Sequence, residues 1–173
     1  TMSIAGYYST TFLIGTGTLN LLNNPSSMES LRKSIADGDD SLLQSAILEM
    51  LRYDGPVQLI DRYAAEDTEI GGVKIPKNQK VTAVVGSANH DEAEFPYPEK
   101  FDITRNAEPM LSFGDGMHRC LGEPLFNKLA PVAFKTLLNA RPEFKLSGMP
   151  QWQTDPYLRA VSNLPLEFLK VDG

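Results

Sequence analysis

The feature that most constrains this chain is the stretch SFGDGMHRCLGEP, residues 112–124, which holds the only cysteine, Cys120. Three glycines, Gly114, Gly116 and Gly122, surround that cysteine. A buried structural cysteine behaves as a small hydrophobic side chain and needs no neighbouring glycines. A metal-binding thiolate must be deprotonated and exposed to its ligand, and glycines allow the backbone to approach closely. The loop therefore predicts a thiolate ligand.

The residues after the cysteine predict a helix with Pro124 in its first turn and an end near Leu138. The N-terminus of a helix offers unpaired amides and the positive end of the helix dipole, which stabilise a negative charge. Cys120 precedes such a terminus, where a stable thiolate is expected. The alternative is an inert core thiol, which leaves the surrounding glycines unexplained.

Composition limits the classes of protein that remain. A chain of 173 residues with 42% hydrophobic and 22% charged residues fits one soluble globular domain over residues 1–173. A net charge of -6 argues against general binding of nucleic acid. One cysteine and two histidines argue against a closed four-ligand zinc site, and a single thiol forms no internal disulfide. With no membrane-length apolar run and no signal peptide, we expect a cytoplasmic protein with no membrane partner.

The pattern along the chain predicts an α+β protein that is mainly α. Apolar spacing predicts a first helix that ends at Asn23-Asn24, and shorter helices over Ser26–Ile35 and Ser41–Arg52. Because the chain starts at Thr1 with the helical pattern already running by Ile4, we expect it to be cut from something longer or tagged there. The later segments are three short strands over Pro56–Val85 with a Gly71-Gly72 hairpin between two arms, and an irregular meander over residues 86–112. The remainder of the chain after the helix that ends near Leu138, with LPLEFLKV (residues 164–171) near its end, predicts short strands.

The pattern Phe113-Gly114-x-Gly116-x-His118-x-Cys120-x-Gly122 resembles the haem-binding signature of cytochromes P-450, the haem-thiolate monooxygenases. Glu49-Met50-Leu51-Arg52 resembles the E-x-x-R helix of that family. Glu29-Ser30-Leu31-Arg32 also satisfies this motif, but only the Glu49 segment lies on the apolar helix before the strands. TEIGGVKIPKNQKV is similar to the family's hairpin, and FPYPEKFDITRNAEPMLSFG is similar to its meander.

The resemblance covers nearly the whole chain but only the C-terminal part of the family. It implies the C-terminal part of the cytochrome P-450 fold in a single truncated domain: distal helix, E-x-x-R helix, small β-sheet, meander, cysteine loop and following helix. It also implies haem b, with Cys120 as the axial thiolate that favours cleavage of bound oxygen. Arg105 matches the meander arginine that completes a structural network with Glu49 and Arg52.

The resemblance places eight further residues at the haem: Ala5, Gly6, Arg62, Phe113, Gly114, His118, Leu121 and Gly122. Arg62 and His118 match positions that bind the haem propionates by charge-assisted contacts. Leu121 and Gly122 are expected under the porphyrin, with Phe113 near the sulfur. The glycines would let backbone amides approach the sulfur and tune its potential.

The first helix is similar to the family's distal helix, which carries A-G-x-(Asp or Glu)-Thr and delivers protons to bound dioxygen. Here the sequence is Ala5-Gly6-Tyr7-Tyr8-Ser9, followed by Thr10. Ser9 or Thr10 is the expected catalytic hydroxyl. Tyr8 takes the position of the acid and is a poor proton shuttle, because phenols ordinarily ionise only near pH ~10. This departure favours peroxide-driven or isomerase-like haem chemistry, or lost activity.

The leading hypothesis is a haem-thiolate oxidoreductase of the monooxygenase type that oxidises an apolar organic substrate. Its expected electron donor is a ferredoxin or a flavodoxin-like protein, attracted by Arg119, Lys128 and Lys135. Because the helices that close the substrate pocket are missing, we expect an exposed apolar face. That face would be covered by a complementing chain, by self-association, or by the rest of a longer protein. The alternatives are a non-catalytic remnant that acts as a haem-binding or interaction module, and a plain α+β domain with a coincidental motif.

Overall fold

The structure, a computed structural model, describes residues 2–140 and 143–169. The α-helices in these ranges are α1 (Met2–Asn23), α2 (Pro25–Ala36), α3 (Ser41–Asp54), α4 (Val85–Ala88) and α5 (Glu123–Ala140), and a short 3-10 helix spans Gly116–His118. The strands are β1 (Leu59–Tyr63), β2 (Thr68–Ile70), β3 (Val73–Ile75), β4 (Lys80–Val84), β5 (Phe144–Leu146), β6 (Gln151–Trp152), β7 (Val161–Asn163) and β8 (Leu166–Phe168). The predicted class, α+β and mainly α, is confirmed.

The core forms where α1 lies against α3 and α5. A Cβ atom at Gly17 of α1 would lie 2.6 Å from Met50 Sδ and 2.9 Å from Phe134 Cζ, so glycine is what lets the three helices approach. Leu13 and Leu21 of α1 are fully buried in the same cluster. Glycine and β-branched residues lower the helix propensity of α1, and this packing supplies its stability instead.

Helices α2 and α3 extend slightly beyond their predicted limits. Pro25 occupies the first position of α2, where its missing N–H costs nothing. Helix α3 runs two residues past Arg52, to Asp54. Its predicted apolar face is buried, at Leu43, Ala46, Ile47, Met50 and Leu51.

The region predicted as three strands contains four. β1 pairs with β4 in an antiparallel sheet, and β2 pairs with β3 in a separate hairpin. The hairpin turns at Gly71 (φ +55°) and Gly72 (φ +80°), as predicted, because both positions need the left-handed backbone that glycine adopts freely. The two arms of the hairpin count as separate strands, which accounts for the difference.

Irregular backbone joins β4 to α5. Val85–Ala88 form the short helix α4, where the sequence predicted the end of a strand and the start of the meander. The rest of the meander is held to the core by its buried apolar side chains, Phe95, Phe101, Ile103, Ala107 and Met110.

Short antiparallel pairs follow α5: β5 with β8, and β6 with β7. The predicted strand near the C-terminus is β8, and Lys170 and Val171 of that prediction lie outside the described residues. Within the described ranges, no helix combines the length and apolar character needed to cross a bilayer.

Candidate functional site

A buried ion pair on α3 anchors the meander beneath the cysteine loop. Arg52 Nε donates to Glu49 Oε2 at 2.7 Å and Arg52 Nη2 donates to Glu49 Oε1 at 2.9 Å. Both residues are almost completely buried, with 0% of Glu49 and 1% of Arg52 exposed. Arg52 also donates to the carbonyl oxygens of Asn89 at 2.9 Å and Pro98 at 3.0 Å. A buried charge pair is tolerable only when the remaining donors are also satisfied, and here they are.

Arg105 and Asp102 of the meander complete this network. Glu49 Oε1 accepts a hydrogen bond from the Asp102 amide at 2.9 Å and lies 3.4 Å from Arg105 Nε. Arg105 also donates to the carbonyl oxygens of Pro96 at 2.8 Å and Tyr97 at 3.1 Å. The structure thus brings together Glu49, Arg52 and Arg105, and the two arginines bind several carbonyls of an irregular segment.

The second E-x-x-R match forms no such pair. Glu29 is exposed, and Arg32 lies over the Phe144 ring at 5.3 Å. Burial lowers the pKa of Arg32, and its Nε has no hydrogen-bond partner among the described residues. Identical spacing on two helices therefore gives one buried ion network and one arginine that does not pair with the glutamate of its own motif.

The cysteine loop is closed by a backbone hydrogen bond across its base. The Cys120 amide donates to the Phe113 carbonyl at 2.8 Å. Gly114 (φ +69°) and Gly116 (φ +64°) take left-handed conformations that other residues rarely adopt. The Cys120 thiol at the end of this turn is exposed. A Cβ atom at Gly122 would lie 3.7 Å from Cys120 Sγ, which is ordinary van der Waals contact.

Helix α5 begins three residues after the cysteine, at Glu123. The Gly122 carbonyl accepts the amides of Leu125 and Phe126 at 3.1 and 2.9 Å. Arg119 forms a bidentate ion pair with Glu123, with both nitrogen–oxygen distances at 2.7 Å. This pair raises the pKa of Arg119 and offsets its charge locally.

Apolar side chains project to the surface beside the thiol. Met117 is 94% exposed and Leu121 is 91% exposed. Phe113 is half-buried and its ring meets the Phe126 ring edge-on, with 5.4 Å between centroids. His118 is exposed, and no described residue forms a hydrogen bond with its imidazole.

Arg62 lies on the opposite face of β1 from its neighbour Asp61, as strand alternation requires. The guanidinium of Arg62 is exposed and donates only to the Asp61 carbonyl, at 2.9 Å, among the described residues. The Asp61 carboxylate instead binds Lys80 at 2.7 Å and Thr82 at 2.6 Å, which lowers its pKa to about 2. Arg62 is therefore free of a carboxylate partner in the described chain.

The first turns of α1 carry the predicted distal residues. Ala5 and Gly6 are exposed, and a Cβ atom at Gly6 would meet nothing within 4 Å. The Ser9 hydroxyl donates to the Ala5 carbonyl at 2.6 Å, while Thr10 is half-buried. Tyr8 is 51% exposed and its ring lies 5.8 Å from that of Phe12.

The residues around Cys120 suit a metal held in a macrocycle better than a metal ion held by protein side chains alone. No group of three or more His, Cys, Asp or Glu side chains in the described ranges could hold a metal ion. Cys120 can supply one exposed thiolate, while Met117 and Leu121 supply an apolar surface beside it. Haem needs one axial protein ligand, an apolar contact surface and cationic partners for its propionates. The residues present fit that group.

The sequence did not predict two residues that hold the start of the cysteine loop in place, Asn89 and Ser112. Asn89 Nδ2 donates to Ser112 Oγ at 2.9 Å, and Ser112 Oγ donates to the Leu51 carbonyl at 2.7 Å. Both residues lie in irregular segments, where neither helical nor strand spacing indicates which side chains turn inward.

The three cations expected to attract an acidic partner differ in their surroundings. Arg119 is paired with Glu123, and Lys135 lies 2.6 Å from Asp40. Lys128 is exposed and has no ion-pair partner among the described residues. Two of the three charges are thus already offset by a carboxylate.

Comparison with known proteins gives one consistent result. The family model described as Cytochrome P450 matches residues 1–159. The chain is 38% identical over 173 residues to 6-deoxyerythronolide B hydroxylase of Saccharopolyspora erythraea. The aligned region covers 98% of this chain and 41% of that relative. It is 41% identical over 166 residues to cytochrome P450 CYP107DY1 of Priestia megaterium, covering 95% of this chain and 39% of that relative.

A solved structure of P450BioI, in complex with a hexadec-9Z-enoic acid ligated acyl carrier protein, superposes with a TM-score of 0.90 at 38% identity. That match covers 97% of this chain and 43% of the solved one. The chain spans about 40% of the length of these curated relatives, which carry its family's cysteine-ligated haem b. The chain belongs to the cytochrome P450 family, and it carries the C-terminal portion of that fold.

Proposed function

We propose that this chain is the haem-binding portion of a haem-thiolate oxidoreductase, with Cys120 as the axial ligand of haem b. The observation that carries the proposal is the exposed Cys120 thiol, in a loop that has two left-handed glycines and is closed by the hydrogen bond from the Cys120 amide to the Phe113 carbonyl. Membership of the cytochrome P450 family supports the same role. Bound haem would supply oxygen activation at a thiolate-ligated iron.

The other predicted residues have roles that follow from their surroundings. Arg62 and His118 are exposed and would bind the haem propionates through charge-assisted hydrogen bonds. Leu121 and Gly122 would contact the macrocycle beside the sulfur. Gly114 leaves room at the turn where a side chain would strain the backbone. Ala5 and Gly6, which are small and exposed, would contact the opposite face.

Proton delivery on the distal side would depend on hydroxyl groups. The Ser9 hydroxyl holds its proton toward the Ala5 carbonyl at 2.6 Å, so its oxygen lone pairs can accept a hydrogen bond from a bound ligand. Thr10 is the adjacent alternative. The sequence of α1, MSIAGYYSTTFLIGTGTLNLLN, contains no carboxylate, and Tyr8 stands where the family has an acid. This observation favours a second candidate function, a peroxide-driven or isomerase-like reaction in which the helix need not relay protons.

The substrate class we propose is an apolar organic molecule. One relative is named as a hydroxylase of 6-deoxyerythronolide B, and one neighbour was solved with a hexadec-9Z-enoic acid ligated acyl carrier protein. If the protein acts as a monooxygenase it needs an electron donor, for which a ferredoxin or flavodoxin-like protein is our candidate. Of the three candidate cations Arg119, Lys128 and Lys135, Lys128 is the one without a carboxylate partner among the described residues, and is therefore the best able of the three to attract such an acidic partner.

The site also needs a covering polypeptide. An exposed apolar stripe runs from Leu121, just before α5, along that helix; we define it as Leu121, Leu125, Leu129 and Val132. These positions recur at helical spacing on a face turned away from the buried Phe126 and Phe134. An exposed apolar stripe of this kind marks an interface. We propose that the remaining part of the family fold, in the same or another chain, or a second copy covers it.

An absorption spectrum of the purified, haem-reconstituted chain tests the thiolate. Its reduced carbon monoxide complex is expected to show the red-shifted Soret band of thiolate ligation. Cys120→Ser should abolish that band, because serine supplies no thiolate. Met117→Leu is the matched control, since Met117 is the other highly exposed sulfur of the loop and is expected to be dispensable.

Three results would count against parts of this proposal. No Soret band after reconstitution would exclude haem binding by this chain. An unchanged spectrum in Cys120→Ser would exclude Cys120 as the ligand. Haem binding without turnover, either with peroxide or with a reduced electron donor, would instead support the non-catalytic remnant.

A further inference from the structure

Asn89, the residue that directly follows α4, contacts both the buried ion network and the start of the cysteine loop. Only 2% of this residue is exposed. Its Oδ1 accepts the Leu111 amide at 2.7 Å and its Nδ2 donates to Ser112 Oγ at 2.9 Å. Its backbone carbonyl accepts Arg52 Nη1 at 2.9 Å. The side chain is therefore committed to residues 111–112 while its backbone is held by Arg52.

Ser112 extends this connection to α3. Its hydroxyl donates to the Leu51 carbonyl at 2.7 Å. Leu51 lies in the last turn of α3, whose carbonyls have no intrahelical partner. A Cβ atom at Gly55 would lie 3.1 Å from Ser112 Oγ, so the hydroxyl is closely seated against the end of that helix. Asn89 and α3 thus hold Ser112 from two sides.

The next residue carries the connection to the thiol. The Phe113 carbonyl accepts the Cys120 amide at 2.8 Å, and the Phe113 ring packs on Phe126. The position of the Cys120 backbone therefore depends on where residues 111–113 are held. We propose that Asn89 is a positioning residue that orients Cys120 by fixing residues 111–113. The identity of the group that Cys120 meets rests on the proposed function above, but the positioning does not.

Native-state hydrogen exchange of the full chain distinguishes positioning from general stabilisation. In Asn89→Ala, the amides of Leu111 and Cys120 should exchange about tenfold faster or more, because a lost buried hydrogen bond is worth roughly 5- to 150-fold in an equilibrium constant. Amides in the middle of α1 should keep their rates. Asn106→Ala is the matched control, because among the described residues Asn106 Oδ1 accepts only the nearby Glu108 amide, at 3.2 Å.

Ser112→Ala provides a second variant, which removes only the hydrogen bonds of the Ser112 hydroxyl with Asn89 and Leu51. It should speed exchange at Cys120 while Leu111, still bonded to Asn89 Oδ1, stays protected. In the double variant of Asn89 and Ser112, the increase in the exchange rate of the Cys120 amide should be smaller than the product of the two single increases. Both substitutions remove the same hydrogen bond, from Asn89 Nδ2 to Ser112 Oγ. Should Asn89→Ala fail to fold, Ser112→Ala decides the outcome.

Either of two results would overturn the proposal: equal acceleration at all amides, or an unchanged rate at Cys120. In haem-loaded protein, Asn89→Ala should also move part of the reduced carbon monoxide spectrum away from the thiolate-type band. A chain that takes up no haem would contradict the proposed function, yet the exchange measurement on the same chain would still confirm or overturn the role of Asn89.

Discussion

At the scale of single residues, the most informative interaction is the ion pair between Glu49 and Arg52, because both side chains are buried. The Glu49 carboxylate is fully buried and accepts hydrogen bonds from Arg52, Arg105 and the Asp102 amide. Taking these charges out of water costs several kcal/mol per ion, which the mutual attraction repays only in good geometry. Removing either Glu49 or Arg52 should therefore lower the stability of the folded chain strongly, because the remaining charge stays buried.

Glu49→Gln should destabilise the chain by about 3–5 kcal/mol, because Arg52 becomes a buried cation without a counter-charge. Urea unfolding measures this change as a shift in midpoint. Glu29→Gln, the same substitution in the exposed E-x-x-R match, should change stability by less than about 0.5 kcal/mol. Equal effects from the two variants would contradict the assignment of the network to Glu49.

At the scale of elements, the meander is irregular but well anchored, and part of its order depends on a carboxylate. The Asp102 side chain accepts the Thr104 hydroxyl at 2.6 Å and the Thr104 amide at 3.1 Å. The Thr104 hydroxyl is the main reason that the pKa of Asp102 is lowered to about 2. A carboxylate with a depressed pKa stabilises the folded state above its unfolded pKa of about 4.

This contribution should be lost as the pH falls from about 4 through about 2, when Asp102 becomes protonated in both states. Thr104→Val removes the hydroxyl donor and should raise the pKa of Asp102. The variant should then be less stable than the unsubstituted chain above pH ~4, and the pH-dependent part of the difference should shrink progressively as the pH falls from ~4 through ~2. Thermal unfolding across this range measures the difference.

Thr136→Val is the control for the loss of a threonine hydroxyl, because Thr136 Oγ1 donates to the Val132 carbonyl and to no carboxylate. Its stability difference from the unsubstituted chain should not depend on pH over this range. A pH-independent effect of Thr104→Val would contradict the role of Asp102.

At the scale of the whole molecule, the chain has a buried helical core but also leaves large apolar side chains of α1 and α5 exposed. The stripe on α5 and the exposed Tyr7 and Tyr8 of α1 lie in the two helices that carry or adjoin the predicted haem contacts. The chain spans about 40% of the length of its relatives, and the structures it matches contain more chain than it does. Self-association or binding of a covering polypeptide is the expected consequence.

The chain studied without a covering polypeptide should bind an environment-sensitive hydrophobic dye. Replacing both Leu125 and Leu129 with lysine should lower dye binding by roughly half and shift size-exclusion elution toward the monomer. Met149→Lys, at a solitary exposed methionine between β5 and β6, should change neither readout. A well-folded monomer of the unsubstituted chain that binds no dye would count against every covering arrangement proposed above.

Local patterns allowed much of the fold and part of the candidate site to be predicted. The apolar face of α3, the Gly71-Gly72 turn and the cysteine loop each depend on residues close together in the chain, so spacing alone identifies them. Asn89 was missed because its partners, Leu111 and Ser112, lie more than 20 residues further along in irregular backbone. The same limit left the choice between two E-x-x-R motifs to an argument from position.

Sequence alone was sufficient to infer the class of fold, the thiol-bearing turn and the family, because helix periodicity, turn glycines and a short signature are local properties. Folding decided which charges are paired and which are free. Glu49 of α3 pairs with Arg105 of the meander and Lys135 of α5 pairs with Asp40, whereas Arg62 faces away from the carboxylate beside it in the chain. Burial and long-range contact set those outcomes, since a charge is stabilised by the groups that surround it in space. For Cys120, the chain provides the chemistry of the sulfur, and packing through residues 111–113 provides its direction.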